Sequence, residues 1–116
     1  MEKNTRLTLK EFENYCMEHS PKEICFDTRN HLADPTISTL RVSLVFTAIK
    51  FLSSTDSIAL VHGEKNLFGV YENYLHFNRI KHIIFREEIA GVSFFTIVCG
   101  SWQDNKNNFK YNISLM

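Results

Sequence analysis

The sequence opens with one complete set of helix signals and then, after Pro21, reads almost wholly as strand. Thr8 carries the short hydroxyl side chain that caps a helix, Glu11 three residues on can reach back to the Thr8 amide, and Leu7 can staple onto Phe12 across the first turn. Leu9, Phe12, Cys16 and His19 recur at the i, i+3, i+4 spacing of one helical face, and Pro21 opposes helical backbone at Ser20. A helix over residues 9–19 with a single buried stripe is the expectation.

Downstream, β-branched and aromatic residues come in short runs separated by Asn, Asp, Ser and Gly, the composition of strands and turns. Lys22–Thr28 reads as a short strand and Arg29–Ser38 as a loop. From Leu40 the apolar residues alternate along one long strand, with a one-residue phase slip near Ala48–Lys50 that predicts a bulge or a strong bend. Ser53–Ser57 turns into Ile58–His62, and Gly63-Glu64-Lys65-Asn66 reads as the turn of a hairpin leading into Leu67–Glu72. Tyr74–Phe77 and Ile80–Arg86 are assigned as strands, although Tyr74, Phe77, Ile80 and Ile84 would also line one helical face.

Ser93–Trp102 is apolar on both parities, as a central strand covered on both faces would be. Phe109–Met116 alternates cleanly, with Phe109, Tyr111, Ile113 and Leu115 on one side. Only four glycines and two prolines are present, which leaves most turns to Asn, Asp and Ser. The pattern predicts a single α+β domain over residues 1–116: one N-terminal helix packed against a curved antiparallel sheet of about six or seven strands.

Thirteen basic residues balance thirteen acidic ones, so no global field exists to hold a phosphate backbone or a membrane surface, and nucleic acid is not the expected partner. The N-terminus leads into no apolar core and no small-residue cleavage site, and the most apolar stretch, Leu44–Leu52, is interrupted by Thr47 and Lys50. A cytoplasmic protein without a membrane span is expected, with Cys16, Cys25 and Cys99 as thiols. Phe, Ile, Lys, Asn and Tyr, the residues of AT-rich codons, are abundant, which points to an AT-rich bacterial or phage genome.

Four groups of residues bear on chemistry. Cys16, His19, Cys25 and His31 are soft or borderline metal donors, but their spacing lacks the paired cysteines of a zinc knuckle, and small core cysteines with a histidine at the helix C-terminus account for them. His62, His76 and His82 with Glu64, Glu72, Glu87 and Glu88 offer proton-transfer groups, yet no nucleophile elbow or phosphate-cradling glycine loop accompanies them. Arg79, Lys81 and Arg86 form a candidate basic contact among Tyr74, His76, Phe77 and His82. Finally, fifteen aromatics are many for a sheet with one helix to cover it, which makes Tyr71, Tyr74, Trp102, Phe109 and Tyr111 candidate interface residues.

The reading is a small non-enzymatic binding module that acts through protein contacts, with no catalytic residue, cofactor or metal assigned. In an AT-rich bacterial or phage setting, one concrete form is an accessory protein that inhibits a host enzyme, of the anti-defence type. An enzyme or small-ligand protein with a pocket between helix and sheet is the first alternative, and a single-stranded nucleic-acid binder the second. Self-association as a homodimer is expected through the C-terminal strand, because a terminal strand readily lies at a sheet edge and only Lys110 protects this one.

Overall fold

The structure, a computed structural model, describes residues 1–27, 43–67, 69–100 and 108–116. The loop expected over 29–38 and the start of the long strand at 40–42 lie outside the described residues. A short strand β1 (Thr5–Leu7) leads into the helix α1 (Leu9–His19). Thr8 caps it from extended backbone: its hydroxyl accepts the Glu11 N–H at 3.1 Å and the Glu11 carboxylate accepts the Thr8 N–H at 3.1 Å. Ser20 ends the helix in the left-handed region at φ 46°, donating its N–H to the Cys16 carbonyl at 2.9 Å. Removing the cap oxygen in Thr8→Ala should cost about 1 kcal/mol, read as a lower denaturation midpoint at unchanged slope.

Two features of the helix depart from the sequence pattern. Its buried stripe is Phe12 and Cys16 with Leu9 and Tyr15 packed alongside, whereas His19 is exposed. One turn further back, Tyr15 occupies the place assigned to His19 and stacks its ring on the imidazole at 3.9 Å.

The strands that follow are β2 (Ile24–Asp27), β3 (Ser43–Phe46), β4 (Ala48–Leu52), β5 (Ser57–Asn66), β6 (Gly69–Phe77), β7 (Ile80–Ile89), β8 (Val92–Gly100) and β9 (Asn108–Leu115). They form a six-stranded antiparallel sheet in the order β1-β7-β8-β9-β2-β3 and a three-stranded one in the order β4-β5-β6. The fold is thus α+β, one N-terminal helix with antiparallel sheet, and a second small sheet accompanies the main one. Among the described residues no helix is long and apolar enough to cross a membrane.

The phase slip near Ala48 is where the chain changes sheets. Phe46 ends β3 in the large sheet, Ala48 begins β4 in the small one, and between them Thr47 donates its N–H to the Val61 carbonyl at 2.8 Å. The single long strand expected there is therefore two strands. The hairpin turn also moves: β5 and β6 stay paired through Gly63↔Glu72 to Asn66↔Gly69, so the reversal lies beyond Asn66 rather than at 63–66. Gly63 sits in ordinary register with open space where a Cβ would be, and nothing at that site calls for a turn. The reversal between β7 and β8 is made by Ala90 and Gly91, both at positive φ (52° and 83°), the two-residue geometry that matches strand twist. Residues 74–88 are strand, interrupted at Asn78 and Arg79.

The C-terminal strand is the largest correction. β9 pairs with β8 along its whole length and with β2 from Asn112 to Leu115, so that half of the strand is interior and offers no free edge for a homodimer. The cause is long-range: Ile24–Asp27 takes the outer side of a strand nearly ninety positions later in the chain.

The inner faces of both sheets and the helix share one apolar cluster. Phe12, fully buried, meets Phe95 of the large sheet at 5.0 Å and Phe51 of the small sheet at 5.9 Å, both edge-on. Across the large sheet from Phe95, on the far side of Ile113, Phe26 closes on Phe77 of the small sheet at 5.5 Å, and Tyr111, opposite Ile97, does so at 5.2 Å.

Candidate functional site

The fold disperses the donor set expected around Cys16. Cys16 faces the core, where burial and then the Glu13 charge push its thiol up to about 12. Cys25 lies on β2, its thiol raised by burial and then by Glu23. The His19 Nδ1 lies 2.9 Å from the Tyr15 carbonyl oxygen, and His31 is outside the described residues. Among the described residues no three such donors converge.

The histidines are likewise separated. His62 on β5 pairs across from Asn73, His76 on β6 stacks near Tyr74 at 5.9 Å, and His82 belongs to the other sheet, opposite Val98. Glu64 and Glu72 sit in the β5–β6 ribbon, while Glu87 pairs with Lys3 at 3.6 Å. A groove of about 450 Å³ does open between the helix and the end of β7, walled by Tyr15, Glu18, His19, Phe85, Glu87 and Glu88. The Tyr15 hydroxyl at its base is engaged with the Ser93 hydroxyl at 2.7 Å.

Of the interface candidates, Phe109 and Tyr111 come together and the others do not join them. Both line a half-open groove of about 300 Å³ between the sheets, with Phe26, Leu75, Phe77 and Cys99 as further walls and His76 and Asn78 at the rim. Alternation along β9 turns both rings inward, where Tyr111 is half-buried and packs on Phe77 and Phe26, whereas Phe109 at the mouth keeps 54% of its surface in solvent. Burial raises the Tyr111 phenol, with Cys99 adding to it, and burial alone pushes the Cys99 thiol up to about 11. The groove wall is aromatic, with a thiol and a phenol held in their protonated forms. Tyr74 lies on the far face of the small sheet with the Lys50 ammonium 5.3 Å from its ring centre. Tyr71 falls in β6 opposite Glu64, and Trp102 is outside the described residues.

The basic candidates separate too. Arg79 makes the β6–β7 corner at φ 56°, its carbonyl accepting the Gly100 N–H at 2.9 Å. Lys81 is the extra residue of a bulge between Ile80 and His82. Arg86 sits at a second bulge, half-buried, donating from Nε to the Thr96 hydroxyl at 3.0 Å and from a terminal nitrogen to the Asn4 side chain at 2.8 Å. The Thr96 hydroxyl donates in turn to the Asn112 side-chain oxygen at 2.8 Å. This ladder crosses the outer face of the large sheet, the face turned away from the core.

Arg6 and Lys110 flank the ladder; sequence marked Lys110 only as the charge guarding a strand edge and Arg6 not at all. The signal was present, since Lys110 has the parity opposite to Phe109 and Tyr111, but only the strand order puts it near Arg6. Compared with known proteins, the chain matches no protein-family model, no curated protein and no solved structure.

Proposed function

We propose that this protein is a non-catalytic binding module that receives one aromatic or branched aliphatic side chain of a protein partner in the groove between its two sheets. The observation that carries this reading is Phe109, a large ring left 54% exposed at the mouth of a groove walled by Phe26, Phe77 and Tyr111. At about 300 Å³ the groove is at the bottom of the range for small-molecule pockets and suits a single anchoring side chain. The raised thiol of Cys99 supplies no thiolate at neutral pH, which favours binding over nucleophilic chemistry there. An accessory or inhibitory protein of an AT-rich bacterium or phage, working in the cytoplasm on a host protein, is the setting in which such a module fits.

The test is selection of linear peptides on the immobilised protein, followed by affinity measurement. Peptides with a shared aromatic or leucine position should be enriched, and Phe109→Asp should weaken them at least about tenfold, the effect of losing one central anchor, at an unchanged melting temperature. Enriched peptides that bind the variant equally well would refute the groove as the site.

A further inference from the structure

On the outer face of the large sheet, cations from three strands are brought close to one histidine. His82 on β7, Val98 on β8 and Lys110 on β9 stand in one row across the large sheet, so the two basic residues lie two strand spacings apart, about 10 Å. Arg6 on β1 pairs with Ile84, one step diagonal from His82, and the bulge at Lys81 adds a third cation beside that histidine. Arg6 and Lys110 are exposed, and Glu87 is already paired with Lys3 at the far end of β7. Val98 beneath them is 1% exposed and gives the row an apolar floor.

We infer that this outer face binds the phosphate backbone of a single-stranded nucleic acid, with Arg6, His82 and Lys110 meeting phosphates and Phe94 offering a ring for a base. Phe94 has the same parity on β8 as Thr96 and Val98 and is 37% exposed, so ring, hydrogen-bonding ladder and cations share one surface. Cations that track a backbone beside an aromatic platform are how sheet surfaces hold single strands. An acidic polypeptide would satisfy the cations but leave Phe94 and the ladder without a role.

His82 adds a pH dependence with a definite sign. Burial, then Arg6, Lys110 and Lys81, hold its pKa below the ordinary histidine value, so it is neutral at neutral pH in the free protein. Val98, the neighbour from β8, carries no charge to offset them. A phosphate seated between these cations relieves the repulsion and raises the pKa, so binding takes up a proton and affinity rises as pH falls.

The experiment is fluorescence anisotropy of a labelled oligothymidylate, about twelve nucleotides long, titrated with the intact protein at low salt. Saturable binding is expected, with a log–log salt slope of about −2 for three phosphate contacts and tightening from about pH 7.5 to pH 5.5. Arg6→Gln with Lys110→Gln should weaken it at least about tenfold at unchanged melting temperature, Phe94→Ala should weaken it without changing the salt slope, and His82→Asn should remove the pH dependence. Absence of binding at low salt across that pH range, or binding indifferent to the double variant, would overturn the inference. Polyglutamate competing as well as an unlabelled strand at equal charge would overturn it in favour of an acidic protein partner.

Discussion

Replacing Phe12 by alanine should destabilise the fold by about 3–5 kcal/mol, the range for deleting a buried aromatic ring. The ring is fully buried and touches an aromatic from each sheet, Phe95 on one side and Phe51 on the other. Its loss removes transfer energy and edge-on ring contacts together, and leaves a cavity where the helix joins two sheets that meet nowhere else through that side chain. Leu7, which is buried in the same cluster and precedes the cap, would lose the support of the first helical turn. Against a total stability of roughly 5–15 kcal/mol, that loss removes between about a fifth and the whole of the margin. Urea denaturation of F12A beside the wild type measures this, and a loss under about 1.5 kcal/mol would show that the sheets hold together without the ring.

Asn112→Pro should be worse, preventing folding outright. Asn112 pairs with Thr96 on one side and Asp27 on the other, so its N–H is committed to a neighbour whichever way it points. Proline removes that donor, opposes the extended interior strand and deletes the oxygen that accepts the Thr96 hydroxyl. At an edge the same change would be tolerated and would merely block association. Circular dichroism and size-exclusion chromatography of N112P should therefore show an unfolded or aggregated chain. Asn112→Ala, which keeps the backbone donor, should lose only about 1 kcal/mol. A folded, monomeric N112P variant would mean that β9 is not interior in solution.

What sequence alone determined about this protein was local. The Thr8–Glu11 box and the stop before Pro21 define the helix because each needs partners only three or four residues away. The alternation of Phe109, Tyr111, Ile113 and Leu115 and the double-sided apolarity of β8 mark strands for the same reason, since the pleat sets which side chains share a face. Those patterns also placed Phe109 and Tyr111 on one side of β9, where both now line the groove.

Tertiary structure alone decided the neighbours. Whether the slip before Ala48 bends one strand or sends the chain into a second sheet depends on the Val61 carbonyl that captures Thr47, and no pattern around residue 47 names it. Whether β9 is an edge depends on Ile24–Asp27 docking from the other end of the chain. Net charge counts Arg6 and Lys110 without saying that β1 and β9 carry them onto one surface with His82 of β7. Periodicity records which face a side chain takes, whereas strand order is selected by burial of the whole apolar surface at once, an energy that belongs to no single segment.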